Sequence, residues 1–90
     1  MQEVAEAVKR KIIFLWMTHC YLRRIGKRYP DHFETVIKDI TDNVVARRIM
    51  RLRYTGDNPL KFEAIAYDVG IDIRNVFAHH KNIIDKIIDG

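Results

Sequence analysis

The twenty residues from Phe62 to Lys81 constrain the fold more than any other part of this 90-residue chain. Small Ala66 and flexible Gly70 lie four residues apart. Aliphatic residues surround this pair at helical spacing: Ile65, Val69, Ile71 and Val76. A small residue lets two helices touch, and a glycine adopts the positive φ that a tight turn between them needs. Asp72 is suited to cap a second helix from Ile73 to about Asp89, so the segment predicts two helices joined by a short turn.

This spacing is typical of a helix-turn-helix that binds nucleic acid, although a plain helical hairpin uses the same residue types. In a helix-turn-helix the second helix enters the major groove, with its N-terminal residues near the base edges. Because Val76 points inward, the outer face of the second helix supplies the base-reading candidates. They are Ile73, Arg74, Asn75, Phe77 and Ala78. Lys81 lies one turn further on and is a predicted contact to a DNA phosphate.

The base-reading candidates differ in their chemistry. Arg74 suits a bidentate contact to guanine, which discriminates against other bases by about 1–3 kcal/mol. Asn75 would contact adenine or only stabilise the first helical turn. Phe77 or Ala78 would contact a thymine methyl group. An exposed phenylalanine is unusual on a solvated face, so the alternative is that Phe77 folds back onto Tyr67 or the N-terminal helix.

A resemblance to a known family extends further back along the chain. Residues 48–54 read RIMRLRY and precede the two-helix segment by a short polar loop. Residues 44–88 resemble region four of bacterial sigma factors, where an apolar helix ending in Arg-Tyr leads through a glycine-containing loop into a helix-turn-helix. They are also similar to small region-four-like activators of phages and mobile elements of low-GC Gram-positive bacteria. The resemblance covers about half the chain and implies promoter recognition, transcription regulation and contact with RNA polymerase.

The charge distribution gives a mixed indication about DNA binding. The net charge is +4, yet residues 1–53 carry twelve Lys and Arg against six Asp and Glu, whereas residues 54–90 carry four against six. The predicted base-reading half is therefore slightly acidic, although neutralised phosphates supply much of any DNA affinity. Either the basic first half contacts the DNA backbone, or a partner such as RNA polymerase contributes much of the affinity.

Residues 23–28, RRIGKR, form the densest basic segment. It carries four cations and no acid, which favours a phosphate-contacting patch, although cations at a helix end are commonly only solvated. The predicted phosphate contacts here are Arg23, Arg24, Lys27 and Arg28. Arg47 and Arg51, one helical turn apart, are two further predicted contacts, with the same solvated alternative. The triplet from Lys9 to Lys11 favours a solvated helix end.

The N-terminal part of the chain is predicted to be one long helix over residues 2–25, ended by Gly26. Its segment from Ile12 to Leu22, IIFLWMTHCYL, is apolar on nearly every side. A helix that is apolar all round is buried all round, and ninety residues have difficulty covering it. We expect a homodimer with this helix at its interface; the alternative is a central helix wrapped by its own chain. The run is shorter than the roughly 20 residues that cross a bilayer, so no membrane contact is expected.

The middle of the chain predicts further helices. Asp31 would cap a helix over residues 31–40, with Glu34 completing a capping box. The apolar stripe of this helix is Phe33, Val36, Ile37 and Ile40. Residues 41–43 offer another cap before a helical stretch over 44–54, so this region forms two helices or one bent helix. The core side of the later stretch would be Val45, Ile49 and Leu52.

The length and composition favour a single all-α domain. Only four glycines and two prolines occur in the ninety residues, and no sustained alternation of apolar and polar residues predicts a strand. We expect a bundle of four to five helices, with a basic N-terminal part over residues 1–54 and the helix-turn-helix part over residues 55–90. The lone Cys20 excludes an internal disulfide and fits a reducing cytoplasm.

Residues for catalysis or metal binding are not apparent in the sequence. His79 and His80 are neighbours on a helix and point about 100° apart, and no CxxC, HxxxH or HExxH spacing occurs. We expect His80 to pack in the core, His79 to lie near the groove or solvent, and Cys20 to be an inert thiol within an apolar helix. The prediction is a DNA-binding transcription regulator without catalytic residues, metal or cofactor. The alternative is a helical protein-interaction module, for dimerisation or polymerase binding, that does not itself bind DNA.

Overall fold

Five α-helices and no strand make up residues 2–89, the part of the chain that the computed structural model describes, with side chains described for residues 6–89. This confirms the predicted all-α bundle. The helices are α1 (Gln2–Arg28), α2 (Pro30–Ile40), α3 (Val44–Tyr54), α4 (Phe62–Val69) and α5 (Ile73–Asp89). None of the described helices is both long and apolar enough to span a membrane.

Two apolar clusters hold the helices together. The larger one joins α1, α2, α3 and α5, and its buried members are Leu22, Ile25, Phe33, Ile37, Ala46, Met50, Tyr54, Ile83 and Ile84. The smaller one joins α3, α4 and α5 through buried Ile49, Ile65 and Val76. Because α5 contributes to both clusters, its position is fixed along most of its length. Val76 is fully buried, which confirms the prediction that it points inward.

The start of α2 differs from the prediction. The helix begins at Pro30, whose missing N–H costs nothing in a first turn. Tyr29 occupies the N-cap position without a side-chain cap, so the predicted capping box of Asp31 and Glu34 is wrong. The Glu34 carboxylate instead forms an ion pair with the guanidinium of Arg51 on α3, with Oε1 and Nε 2.6 Å apart. The predicted core stripe is confirmed, with its members buried or half-buried.

The region between α2 and α3 is a break between two helices. The side chain of Asn43 caps α3 by accepting a hydrogen bond from the backbone N–H of Ala46, at 3.0 Å. On α3, Ile49 is buried as predicted and Leu52 packs beside it, but Val45 is 37% exposed. The residues of α3 that pack into the larger apolar cluster are instead Ala46, Met50 and Tyr54.

The connection between α4 and α5 matches the sequence pattern. It spans three residues, and Gly70 takes the left-handed conformation with φ 79°. The backbone N–H groups of Gly70 and Ile71 both donate to the carbonyl of Ala66, at 2.9 and 3.2 Å, which closes the end of α4. The Asp72 carboxylate accepts a hydrogen bond from the backbone N–H of Arg74, at 2.8 Å, and so caps α5 as predicted.

Most of the N-terminal half of α1 is not covered by the rest of the chain. Between Ile12 and Met17 each side chain is exposed, from Leu15 at 38% to Trp16 at 67%. Only from Leu22 onward does α1 enter the core. The alternative of a central helix wrapped by its own chain is therefore wrong. Cys20 is likewise exposed rather than enclosed in apolar surroundings.

Gly26 does not end α1, which continues to Arg28. It is buried instead where α1 meets the end of α3. A Cβ atom built on Gly26 would overlap the carbonyl oxygen of Tyr54 and lie 2.8 Å from its carbonyl carbon. The absence of a side chain, rather than a helix end, is what the structure requires at this position.

We predict that Gly26→Ala destabilises the protein by about 1–3 kcal/mol, because the added methyl forces α1 away from α3. Alanine normally stabilises a helix interior relative to glycine by about 1 kcal/mol, so the sign of the effect is diagnostic. Urea unfolding followed by circular dichroism measures it, with Lys27→Ala on the exposed neighbour as control. A more stable Gly26→Ala variant would contradict the close contact between α1 and α3.

Candidate nucleic-acid interface

The outer face of α5 presents most of the predicted base-reading residues to solvent. Arg74, Asn75, Phe77 and Ala78 are exposed, and Lys81 is exposed one turn beyond. Ile73 is half-buried and is the least accessible of the set. Since Val76 is fully buried on the opposite side, the helix is held by one face while the other stays free.

Arg74 is oriented by the same carboxylate that caps the helix. Its Nε lies 3.3 Å from Oδ1 of Asp72, while 87% of the arginine side chain remains exposed. The backbone N–H and then the guanidinium of Arg74 lower the pKa of Asp72. An ion pair this exposed is weak, so the guanidinium is free to exchange this carboxylate for another acceptor.

Phe77 is held in place by an aromatic partner that the sequence analysis did not identify. Its ring meets that of Phe62 edge to face, with centroids 4.9 Å apart. Tyr67, one of the two predicted partners, is 92% exposed. Phe77 itself is still 46% exposed, so an apolar surface of fixed orientation remains on the outer face of α5.

Arg53 supports this aromatic pair from α3. The central carbon of its guanidinium lies 4.3 Å from the centroid of the Phe62 ring, and Nη1 donates to the carbonyl of Leu60 at 3.1 Å. Arg53 thus fixes the residues that lead into α4. The sequence signal for this role is the Arg-Tyr pair at the end of a helix before a turn.

The basic end of α1 forms one wall of an open cleft of about 440 Å³. All four of its predicted phosphate contacts line the cleft: Arg23, Arg24, Lys27 and Arg28. The other lining residues come from the end of α3 and the loop that follows it, namely Tyr54, Gly56, Asp57 and Pro59. Four cations against one carboxylate make this a strongly basic concave surface, suited to a phosphate group.

A series of contacts connects this cleft to α5. Arg23 and Arg53 are both close enough to Tyr54 to lower its pKa, against the larger effect of burial. Arg53 stacks on Phe62, which in turn contacts Phe77. The basic end of α1 and the exposed face of α5 are therefore separated by only a few side chains.

The other two predicted phosphate contacts are engaged within the chain. Arg47 donates through Nε to the carbonyl of Thr41 at 2.7 Å and pairs with Asp42 at 3.4 Å. Arg51 pairs with Glu34. These contacts tie α3 to α2 and to the loop between them, and carboxylates already balance both charges.

A partly buried polar network surrounds the side chain of Tyr54. The hydroxyl of Tyr54 is 3.0 Å from Nδ1 of His19 on α1 and 2.6 Å from Nε2 of His80 on α5. A hydroxyl has a single proton, so it donates to one ring while the other ring donates to it. His80 is half-buried and packs against Tyr54 and Phe62, which confirms the prediction that it is a packed residue. The other two members of the network, Tyr54 and His19, lie 26 and 61 residues earlier in the chain, and no local pattern indicates them.

Burial shifts the ionisation of all three members. It raises the pKa of Tyr54 to about 12 and lowers the pKa of His80 to about 4. Burial also lowers the pKa of His19, and the positive charge of Arg53 acts on both histidines in the same direction. The network is therefore neutral at pH 7. Elsewhere in the described residues, no three His, Cys, Asp or Glu side chains cluster as a metal site would require.

Comparisons with known proteins add no relative. No protein-family model matches the chain, and neither a curated protein nor a solved structure matches it. The resemblance of residues 44–88 to sigma region four stays a prediction that rests on the residues themselves.

We predict that stability falls as the pH drops from about 6.5 to 4, by on the order of 3 kcal/mol from His80 alone. The unfolded chain binds a proton on this histidine near pH 6.5, whereas the folded protein does not until about pH 4. Urea unfolding at pH 7 and pH 4.5 measures the loss. His80→Gln should show a smaller loss between these two pH values than His79→Gln, its matched control. Equal losses in the two variants would show that His80 is not the titrating group.

Proposed function

We propose that this protein is a sequence-specific duplex-DNA-binding transcription regulator that uses α4 and α5 as a helix-turn-helix. The observation that carries the proposal is the position of α5. Its inner face is buried in both apolar clusters, while Arg74, Asn75, Phe77 and Ala78 on its first two turns are exposed. A recognition helix needs this combination of a fixed inner face and an accessible N-terminal outer face.

Base reading would fall to side chains of different chemistry. Arg74 would exchange its exposed ion pair with Asp72 for a bidentate contact to guanine. Asn75 would contact adenine, and Phe77 with Ala78 would contact thymine methyl groups. The edge-to-face contact with Phe62 supports the role of Phe77, because it orients the exposed part of the ring before DNA arrives. Ile73, half-buried, would contribute only at the edge of this surface.

Phosphate contacts would come from Lys81 and the basic end of α1. The cleft lined by Arg23, Arg24, Lys27 and Arg28 supplies the positive charge that residues 54–90 lack. Arg47 and Arg51 would add less, since each already pairs with a carboxylate inside the chain. The basic end of α1 and Lys81 of α5 would thus hold the DNA backbone, while the first turns of α5 read the bases.

The biological role rests on the resemblance to sigma region four. The resemblance supports promoter recognition and contact with RNA polymerase, which would take place in the cytoplasm. It also supports an origin in a phage or mobile element. In region four an apolar helix ending in Arg-Tyr leads into the helix-turn-helix, and α3, which ends in Arg53 and Tyr54, precedes α4 and α5 in the same order.

A second candidate function is a helical protein-interaction module that does not bind DNA. The exposed apolar side chains of α1, with Trp16 67% exposed, favour it because such surfaces mark protein contacts. The acidic balance of residues 54–90 favours it as well. The two functions differ in whether the isolated protein binds duplex DNA.

We expect micromolar binding to mixed-sequence duplex DNA that weakens steeply as salt rises. Fluorescence anisotropy at several salt concentrations measures it. Replacing Arg23, Arg24 and Lys27 by alanine together should lower the slope of log affinity against log salt by roughly two to three, since each phosphate contact contributes about 0.9. The matched control removes three exposed cations at the other end of the helix, Lys9, Arg10 and Lys11, and should keep the wild-type slope. No binding by the wild-type protein at low salt would favour the interaction module.

We further expect Arg74→Ala to weaken binding to a duplex selected from a random library by about 5- to 150-fold, with little effect on random duplex. Lys81→Ala, a phosphate contact, should weaken binding to both duplexes alike. Competition titrations with the two duplexes separate the outcomes. An equal loss on both duplexes for Arg74→Ala would assign this arginine to the DNA backbone.

A further inference from the structure

The N-terminal two thirds of α1 carries more exposed apolar surface than a small isolated domain normally shows. Its large apolar side chains that are at least 38% exposed are Val8, Ile12, Ile13, Phe14, Leu15, Trp16, Met17 and Tyr21. At on the order of 100 Å² each, they expose about 800 Å² around the helix, and a partner covers the part of this area that lies on one face. A surface of this size and composition marks a protein contact.

The surface also contains a recess that suits a protruding side chain. Phe14, Met17 and Tyr21 of α1 form an open groove of about 390 Å³ with Ile87 and Ile88 at the end of α5. On the neighbouring side of the same helix, Trp16 projects and is 67% exposed. A protruding apolar side chain beside an apolar groove is self-complementary, as a two-fold interface requires.

The charges along α1 decide between the two ways of pairing it with a second copy. Parallel pairing would place the cations of residues 9–11 beside their counterparts. Antiparallel pairing, with the two-fold axis near residues 15–17, would place exposed Glu6 near Arg24 and Lys27 of the second copy and Lys9 near its Arg23. Parallel pairing would also bring the two basic segments of residues 23–28 together and offers no pair of opposite charges. In the antiparallel arrangement, one carboxylate against four cations leaves the basic end of α1 positively charged.

We propose that a second copy of this chain covers the exposed face of α1, through antiparallel pairing of the two α1 helices about a two-fold axis. The groove beside α5 receives apolar side chains of the other copy. The interface forms without DNA and does not depend on the proposed DNA-binding function. It buries those exposed apolar side chains of α1 that face the second copy.

Sedimentation velocity of the DNA-free protein from about 1 to 100 µM tests the proposal. A dimer at micromolar concentration is expected for an interface of this size. Trp16→Glu should raise the dissociation constant at least tenfold, and Tyr67→Glu, an equally drastic change at an exposed aromatic on α4, should leave it unchanged. Because both positions are exposed, neither substitution removes a core contact. A monomer at 100 µM overturns the proposal and leaves this face to a different protein.

Distances between spin labels test the orientation. The single exposed Cys20 takes one nitroxide label directly, and Ala7→Cys in a Cys20→Ser background takes another and keeps Glu6. At 1.5 Å per residue, antiparallel pairing separates the two Cys20 labels by about 10–15 Å along the axis and the two residue-7 labels by about 27 Å. Parallel pairing would give similar short distances at both positions and would overturn the antiparallel arrangement. DNA binding is measured separately by fluorescence anisotropy, so a variant that loses dimerisation is distinguishable from one that loses DNA binding.

Discussion

The structure depends above all on Tyr54, the last residue of α3. Its side chain is 1% exposed, and its hydroxyl joins His19 of α1 to His80 of α5. Its backbone carbonyl meets Gly26, where α1 approaches closely because no side chain intervenes. Three helices that are far apart in sequence therefore meet at one residue. The cost of burying a hydroxyl is offset because both of its hydrogen-bonding functions are satisfied within the chain.

This arrangement determines what α5 can present to solvent. The second half of α5 packs into the main core through Ile83 and Ile84, and Val76 anchors its first half against α3 and α4. Arg53, next to Tyr54 in the chain, stacks on Phe62 and thereby supports Phe77. The residues that would read DNA thus sit on a helix whose position is set by the same packing that builds the core. Such rigid support favours specific recognition, because little conformational freedom is lost on binding.

The exposed half of α1 has a different relation to the fold. Its sequence is as apolar as a core helix, yet the rest of the chain meets this helix mainly from Leu22 onward. A ninety-residue chain with two small clusters has too little remaining surface to enclose it. The apolar run therefore stays exposed on the single chain and is the face that we propose a second copy covers, whereas the basic end of the same helix lines the cleft beside Tyr54.

The sequence by itself determined the all-helical class, the glycine turn at Gly70, a cap within residues 41–43, the Asp72 cap and the inward direction of Val76, because each depends on residues within a few positions of one another. It also identified the exposed cations and the outer face of α5. Only the tertiary structure decided that Gly26 marks a close approach rather than a helix end, that Val45 is exposed while Tyr54 is buried, and that Phe77 rests on Phe62. Glu34 and Arg51 pair across two helices for the same reason. These outcomes depend on which helix packs against which, and local spacing carries no information about partners tens of residues away.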